Sequence, residues 1–296
     1  MRIAVINSGL GLLGVAAALH RMRPDADLVL ATDPDGMPWG PRTPDDIANR
    51  ALICARAAVK YQPDVLVMAC NTGSVHALEP MRAEFEPDIP VIGTVPAIKP
   101  AAAAHRLVAI WATVATTASS YQRRLIAEFG GSALVTPVAC PGLADAIDAG
   151  DEAATAAAVT AAAAQTPAGC EAVVLGCTEY ELTAARIRTA VPGAVTFGSA
   201  DAVAAQALRR IPAIEARPRP APGGLDGARP GTALDSVRPG VALDGARPGT
   251  MRILLSGRPA PMPPAALRYP EGRLLAPLVR FGDLGPEPAT DSAVTR

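Results

Sequence analysis

Two cysteines sit in matched settings. Asp64-Val65-Leu66-Val67-Met68-Ala69 leads into Cys70-Asn71-Thr72, and Glu171-Ala172-Val173-Val174-Leu175-Gly176 leads into Cys177-Thr178-Glu179. In each, an apolar run of strand length ends in a small residue, and polar side chains follow the thiol. A thiol where a strand gives way to a helix meets unpaired N–H groups and a positive dipole end. Both favour the thiolate and draw the thiol's pKa from about 8.5 toward neutrality. Two such thiols facing one cavity from opposite sides form an acid/base pair. That pair suits moving a proton from one face of a carbon to the other. The remaining thiols, Cys54, Cys140 and Cys170, read as packing.

The thiols must be held by regular elements. Apolar runs predict strands at 2–7, 28–32, 64–69, 90–93, 107–112, 134–138, 172–176, 194–198 and 251–256. Helical patterns fall at 11–22, 44–60, 74–85, 117–129, 142–149, 151–165, 181–190 and 200–210. Thr43-Pro44-Asp45-Asp46 is a helix start, with a capping hydroxyl, a proline at the first position and acids in the first turn. The alternation predicts an α/β fold with parallel-rich, doubly wound sheets covered on both faces. Ligands of such sheets sit beyond the C-terminal strand ends, where both thiols lie.

The chain has 296 residues, half of them hydrophobic, and a net charge of −1. That is enough for one large or two ordinary domains. The absence of a basic stripe argues against a nucleic-acid partner. No lipid-like run of spanning length argues against a membrane partner, and the N-terminal strand is too short for a signal peptide. Five cysteines without a C-x-x-C pair point to the reducing cytoplasm rather than a disulfide scaffold, and no metal site is expected.

Residues 217–250 carry a nine-residue unit, Leu225 to Ala233, Leu234 to Ala242 and Leu243 to Thr250, with Pro and Gly in every copy. One leucine per unit cannot build a core, so this reads as a disordered insertion, and 286–296 reads as a tail.

Gly9-Leu10-Gly11-Leu12-Leu13-Gly14, with Asp33 at the end of the next strand, satisfies a dinucleotide-binding fingerprint. That reading makes the chain an NAD(P)-dependent oxidoreductase. It leaves the matched cysteines unexplained, and polar Asn7-Ser8 stand where the strand should stay apolar. The rival view is that these glycines let the backbone approach a small ligand.

The chain resembles the glutamate racemase family, within the aspartate/glutamate racemase superfamily. The likeness covers about residues 1–210 and resumes weakly at 251–270. It rests on Asn7-Ser8-Gly9, on Pro38-Trp39-Gly40-Pro41, on Cys70-Asn71-Thr72 and Cys177-Thr178, on Thr113, Thr116 and Ser119, and on Cys140-Pro141. The resemblance implies two α/β domains, 1–97 plus 206–285 and 98–205, with the active site in the cleft between them. It implies a cofactor-independent 1,1-proton transfer on glutamate or aspartate. Cys70 and Cys177 would carry the protons, with Glu179 and Asn7 beside them. Ser8, Pro38, Trp39, Gly40, Asn71, Thr72, Thr113, Thr116 and Thr178 would hold the substrate. A cytoplasmic homodimer serving peptidoglycan synthesis is the matching cellular expectation.

Two residues depart from the family's pattern. Asn7 stands where the family has an acid, and an amide accepts no proton, so Cys70 loses an assisting neighbour. Glu179 stands where the family has His; its charge would raise the neighbouring thiol's pKa unless it is protonated or paired. The alternative reading is a racemase-like protein with altered substrate or little activity, acting by binding.

Overall fold

The computed structural model describes residues 1–211 and 247–280. The repeat units up to residue 246 and the expected tail at 286–296 lie outside the described residues.

Two sheets form the frame. The first contains β1 (Arg2–Ile6), β2 (Asp27–Thr32), β3 (Val65–Met68), β4 (Val91–Ile92), β9 (Met251–Leu255) and β10 (Arg258–Pro259), in the order β10-β9-β2-β1-β3-β4. All its pairings are parallel except the short β9–β10 hairpin. The second contains β5 (Leu107–Ala112), β6 (Leu134–Ala139), β7 (Ala172–Leu175) and β8 (Val195–Phe197), all parallel, in the order β6-β5-β7-β8. Buried parallel strands need side chains that are apolar on both faces, and Ile3, Val5, Val65, Val67, Val173 and Leu175 meet that need with 0–3% exposure.

Helices cover both sheets. In α1 (Leu12–Met22) every residue from Leu12 to Leu19 is buried, so this helix lies inside the molecule rather than on it. It packs beside α11 (Ala200–Arg210). The core around α1 runs without a break from Val5 and Leu28 of the first sheet to Ala109, Trp111 and Leu175 of the second. The outer face of the first sheet is closed by α2 (Pro44–Val59), α3 (Asn71–His76) and α4 (Leu78–Phe85) around Trp39, Ile47, Cys54 and Met81. The outer face of the second is closed by α5 (Ile98–Ala104), α6 (Val114–Ala118) and α7 (Ser120–Phe129). The remaining helices are α8 (Leu143–Ala149), α9 (Glu152–Gln165), α10 (Ala184–Ala190) and α12 (Pro270–Leu275).

The capping reading at Thr43 holds: its hydroxyl accepts from the Asp46 amide at 3.3 Å, and Pro44 opens α2. Other helices differ in their breaks. The segment expected as one helix over 117–129 divides at Ser119, whose extended backbone and hydroxyl cap start α7 afresh. The helix expected over 181–190 begins as a 3-10 turn, Thr178–Thr183, and becomes α-helical only at Ala184. Helices α5 and α12 and strand β10 lack a strong period and go unseen in the sequence.

Candidate active site

Strands β3 and β7 end in the same way. Cys70 has φ −141° and ψ 128°, and Cys177 has φ −135° and ψ 135°, so each thiol leaves its strand in extended backbone before a turn of helix begins. Gly176 is needed for this exit, because a side chain there would press on the Trp111 carbonyl and the Ala112 methyl. Gly73 is needed after Cys70. A side chain there would collide with Met68, whereas the bare backbone brings the Gly73 amide to 3.4 Å from Cys70 Sγ.

The two strand ends are tied to each other. Asn71 Nδ2 donates to the Gly176 carbonyl at 3.0 Å. Asn7, fully buried just past β1, donates through Nδ2 to the Ala69 carbonyl at 2.6 Å and to Thr178 Oγ1 at 3.1 Å. Its Oδ1 accepts from the Ser8 amide at 2.6 Å and the Ser8 hydroxyl at 3.2 Å. Asn7, Ser8, Cys70, Asn71, Cys177, Thr178 and Glu179 therefore form one cluster drawn from both sheets. Electrostatics place the sulfurs within each other's reach, since a charge on Cys70 contributes to raising the Cys177 thiol.

Glu179 is 4% exposed, and its Oε2 receives the Cys177 thiol at 2.8 Å and the Thr178 hydroxyl at 3.3 Å. Its Oε1 has no protein partner, and neither does Asn71 Oδ1. Buried acceptors without partners are costly, about 1–3 kcal/mol each, and mark where a bound molecule's donors would be welcome.

The thiols are not primed as the sequence suggested. Burial, followed by the charge of Glu179, pushes the Cys70 thiol up to about 12, against a smaller opposing pull from the Gly73 amide and Ser8. Burial and then Glu179 also hold Cys177 well above the ordinary thiol range. The expected drop toward neutrality is thus reversed. Helix α3 is only six residues long, so its dipole is weak, and the desolvation of each sulfur outweighs it.

The other expected residues occupy the rim and the supports. Thr113 closes β5, the neighbour of β7, and its hydroxyl bonds Thr116 Oγ1 at 3.0 Å, so both lie at the sheet edge that carries Cys177. Thr72 is half-buried in the first turn of α3. Pro38 is exposed and Gly40 has open space around it, but Trp39 is 1% exposed. The indole of Trp39 donates to Asp33 Oδ2 at 2.9 Å, and its ring backs α3 near Gly73.

The glycine-rich turn has a different purpose from nucleotide binding. A Cβ at Gly9 would fall on the Asp148 carboxylate, and one at Gly11 would fall on Thr178 Oγ1, Asn7 Nδ2 and Glu179 Oε1. The space a pyrophosphate would need is filled by these side chains. The Asp33 carboxylate that a ribose would need is held by Trp39, Arg50 and Ser256. Asp148 is the residue the sequence reading left out of the site. It accepts from the Leu10 amide at 2.7 Å, and burial followed by the charge of Glu179 raises it well above the ordinary carboxylate range. Its only sequence signal was an acid one turn before Gly150. Among the described residues, no three His, Cys, Asp or Glu side chains are grouped to hold a metal ion. Nor is any described helix long and apolar enough to cross a membrane.

A family model for Asp/Glu/hydantoin racemases matches residues 11–207. The chain belongs to this family. Among its relatives, the glutamate racemase of Pseudomonas entomophila is 34% identical over 214 residues, covering 71% of this chain and 80% of the relative. That of Herpetosiphon aurantiacus is 32% identical over 219 residues, covering 72% and 85%. Escherichia coli glutamate racemase, solved with L-glutamate and the activator UDP-MurNAc-Ala, superposes with a TM-score of 0.67 at 28% identity, covering 71% of this chain and 82% of that one. The RacE1 isoform of Bacillus anthracis gives 0.59 at 26% identity, covering 72% and 82%. This membership replaces the oxidoreductase reading. For an Asp/Glu/hydantoin racemase, the twin strand-end thiols are the feature to explain.

Proposed function

We infer that this chain is a cofactor-independent racemase of glutamate, with Cys70 and Cys177 as the two proton carriers. The observation that carries this reading is the pairing of the strand ends. Two thiols in near-identical backbone conformation, one from each sheet, are joined by the Asn71–Gly176 and Asn7–Thr178 hydrogen bonds. A carbon held between them meets a sulfur on each face.

One thiolate removes the α-hydrogen as a proton, the electron pair stays on carbon, and the opposite thiol returns a proton to the other face. Ser8, Asn71, Thr72, Thr113, Thr116 and Thr178 offer uncharged donors for the two carboxylates of an acidic amino acid. The unpartnered Glu179 Oε1 and Asn71 Oδ1 are acceptors suited to its ammonium group. That ammonium also supplies positive charge to a site where burial holds both thiols protonated. Trp39 and the Pro38–Gly40 turn support α3 from behind.

The same reading divides the chain into 1–97 plus 206–285 and 98–205, one sheet apiece. It places the enzyme in the cytoplasm as a homodimer supplying D-glutamate for peptidoglycan. The test is deuterium incorporation at the α-carbon of D- and L-glutamate and of D- and L-aspartate in heavy water. Exchange with glutamate in both directions supports the assignment. Exchange only with aspartate moves the substrate, and no exchange at high enzyme concentration leaves the binding-protein alternative.

A further inference from the structure

A two-thiol racemase starts each turnover with one thiol and one thiolate, yet both sulfurs here are held protonated by their burial. The proton that must leave needs an acceptor. Glu179 Oε2 lies 2.8 Å from Cys177 Sγ and also receives the Thr178 hydroxyl. Thr178 Oγ1 in turn receives an N–H from Asn7. The Asn7 amide is oriented on every side: its oxygen takes the Ser8 amide, and its nitrogen donates to the Ala69 carbonyl and to Thr178. A carboxylate at position 7 could not make either of those donations. Gly11 is bare where Asn7 Nδ2, Thr178 Oγ1 and Glu179 Oε1 converge.

We propose that Glu179 is the resident proton acceptor for Cys177, and that Asn7 is a positioning residue that holds it in place through Thr178. This deepens the two-thiol reading and rests on it. With substrate bound, the Cys177 S–H bond breaks, the proton forms an O–H bond on Glu179 Oε2, and the electron pair stays on sulfur. The thiolate takes the α-hydrogen as a proton, and Cys70 gives its own proton to the opposite face of the carbanion. Cys177 ends as a thiol, Cys70 as the thiolate, and Glu179 keeps the stored proton. One negative charge passes from carboxylate to sulfur to sulfur, and the site never carries two on its thiols. Read this way, the two departures from the family's pattern, Asn7 and Glu179, are one change: an amide donor on one side matches an acid on the other. The acid that sequence comparison finds missing beside Cys70 stands beside Cys177. Besides Glu179, the titratable groups acting on Cys177 or on Glu179 are Cys70, Tyr180 and Asp148.

The full chain is compared with E179Q, E179D, N7D and N7D/E179Q. In the substrate-free protein, iodoacetamide alkylation of Cys177 is followed against pH by peptide mass spectrometry. Removing the charge and acceptor of Glu179 should lower the alkylation midpoint of Cys177 by about one pH unit or more. In heavy water, E179Q should slow α-exchange about 100-fold or more for the enantiomer that presents its hydrogen to Cys177, with E179D recovering part of it. N7D should cost about tenfold in the native background and almost nothing in the E179Q background, because it acts through Glu179. An unchanged alkylation midpoint in E179Q, or an N7D cost equal in both backgrounds, overturns the proposal. If the native chain exchanges no α-hydrogen at all, the racemase reading fails instead, and the alkylation midpoint still decides the Cys177–Glu179 pair.

Discussion

The side-chain amide of Asn71, one residue after Cys70, donates to the carbonyl of Gly176, one residue before Cys177, across 3.0 Å. The two proton carriers are thus linked through the residues next to them in the chain. This bond fixes how far apart the two strand ends stand and at what angle.

Asn71→Ala should loosen that register. A misplacement of about 1 Å at a reacting centre costs on the order of 10²-fold. The expected result is a loss of that size in kcat for racemisation, followed by circular dichroism of glutamate, with the melting curve still cooperative. An unchanged kcat would show that the sheets hold the thiols without this bond.

Cys70→Ser and Cys177→Ser should each remove racemisation, with losses of about 10²–10⁴-fold, because a hydroxyl cannot replace a thiol as proton carrier. Each variant should lose α-deuterium exchange chiefly from one enantiomer, and opposite ones for the two variants. Loss from the same enantiomer in both would place the two sulfurs on one face of the carbon.

Gly11→Ala tests the tight packing at the start of α1. The new methyl would meet Thr178, Asn7 and Glu179 at once. Turnover should fall about 10²-fold through displacement of these groups. Isothermal titration should show weaker glutamate binding as well. Full activity would mean that the α1 terminus can draw back from the site at little cost.

Asp148 gives stability a pH dependence of known sign. Its carboxyl is pushed up in the folded chain by burial first and Glu179 second, and has its ordinary value when unfolded. Between those two values the folded chain binds more protons. Its stabilising contribution is therefore complete below the ordinary carboxylate range and is lost as pH rises through the folded value. Asp148→Asn stays neutral throughout and keeps an oxygen for the Leu10 amide. The melting temperature of the variant should gain on that of the native chain between about pH 4 and pH 8. A difference that does not change with pH would mean that Asp148 titrates alike in both states.

Much of the frame was legible in the chain. Val65–Met68 and Ala172–Leu175 are apolar on both faces, a pattern that only a covered parallel strand needs, and each ends in a small residue and Cys. Thr43-Pro44 announced α2 by local chemistry alone. The breaks at Ser119 and Thr183 were not legible, because a cap inside a continuous helical pattern carries no periodic signal. The purpose of Gly9 and Gly11 was not legible either. A bare backbone position shows that something comes close, and only the fold shows that it is Asp148 in one case and the Thr178–Glu179 turn in the other.

The one-dimensional pattern was sufficient to determine the α/β architecture, the two matched thiols and the strand ends they occupy, since these follow from local apolarity and small-residue exits. Tertiary structure decided the state of the thiols and the purpose of Asn7. Desolvation depends on what surrounds an atom from every side, and the neighbours that matter, Asn7 to Thr178 and Asn71 to Gly176, are more than a hundred residues apart along the chain. Charge and burial act through space, and only the folded chain sets those distances.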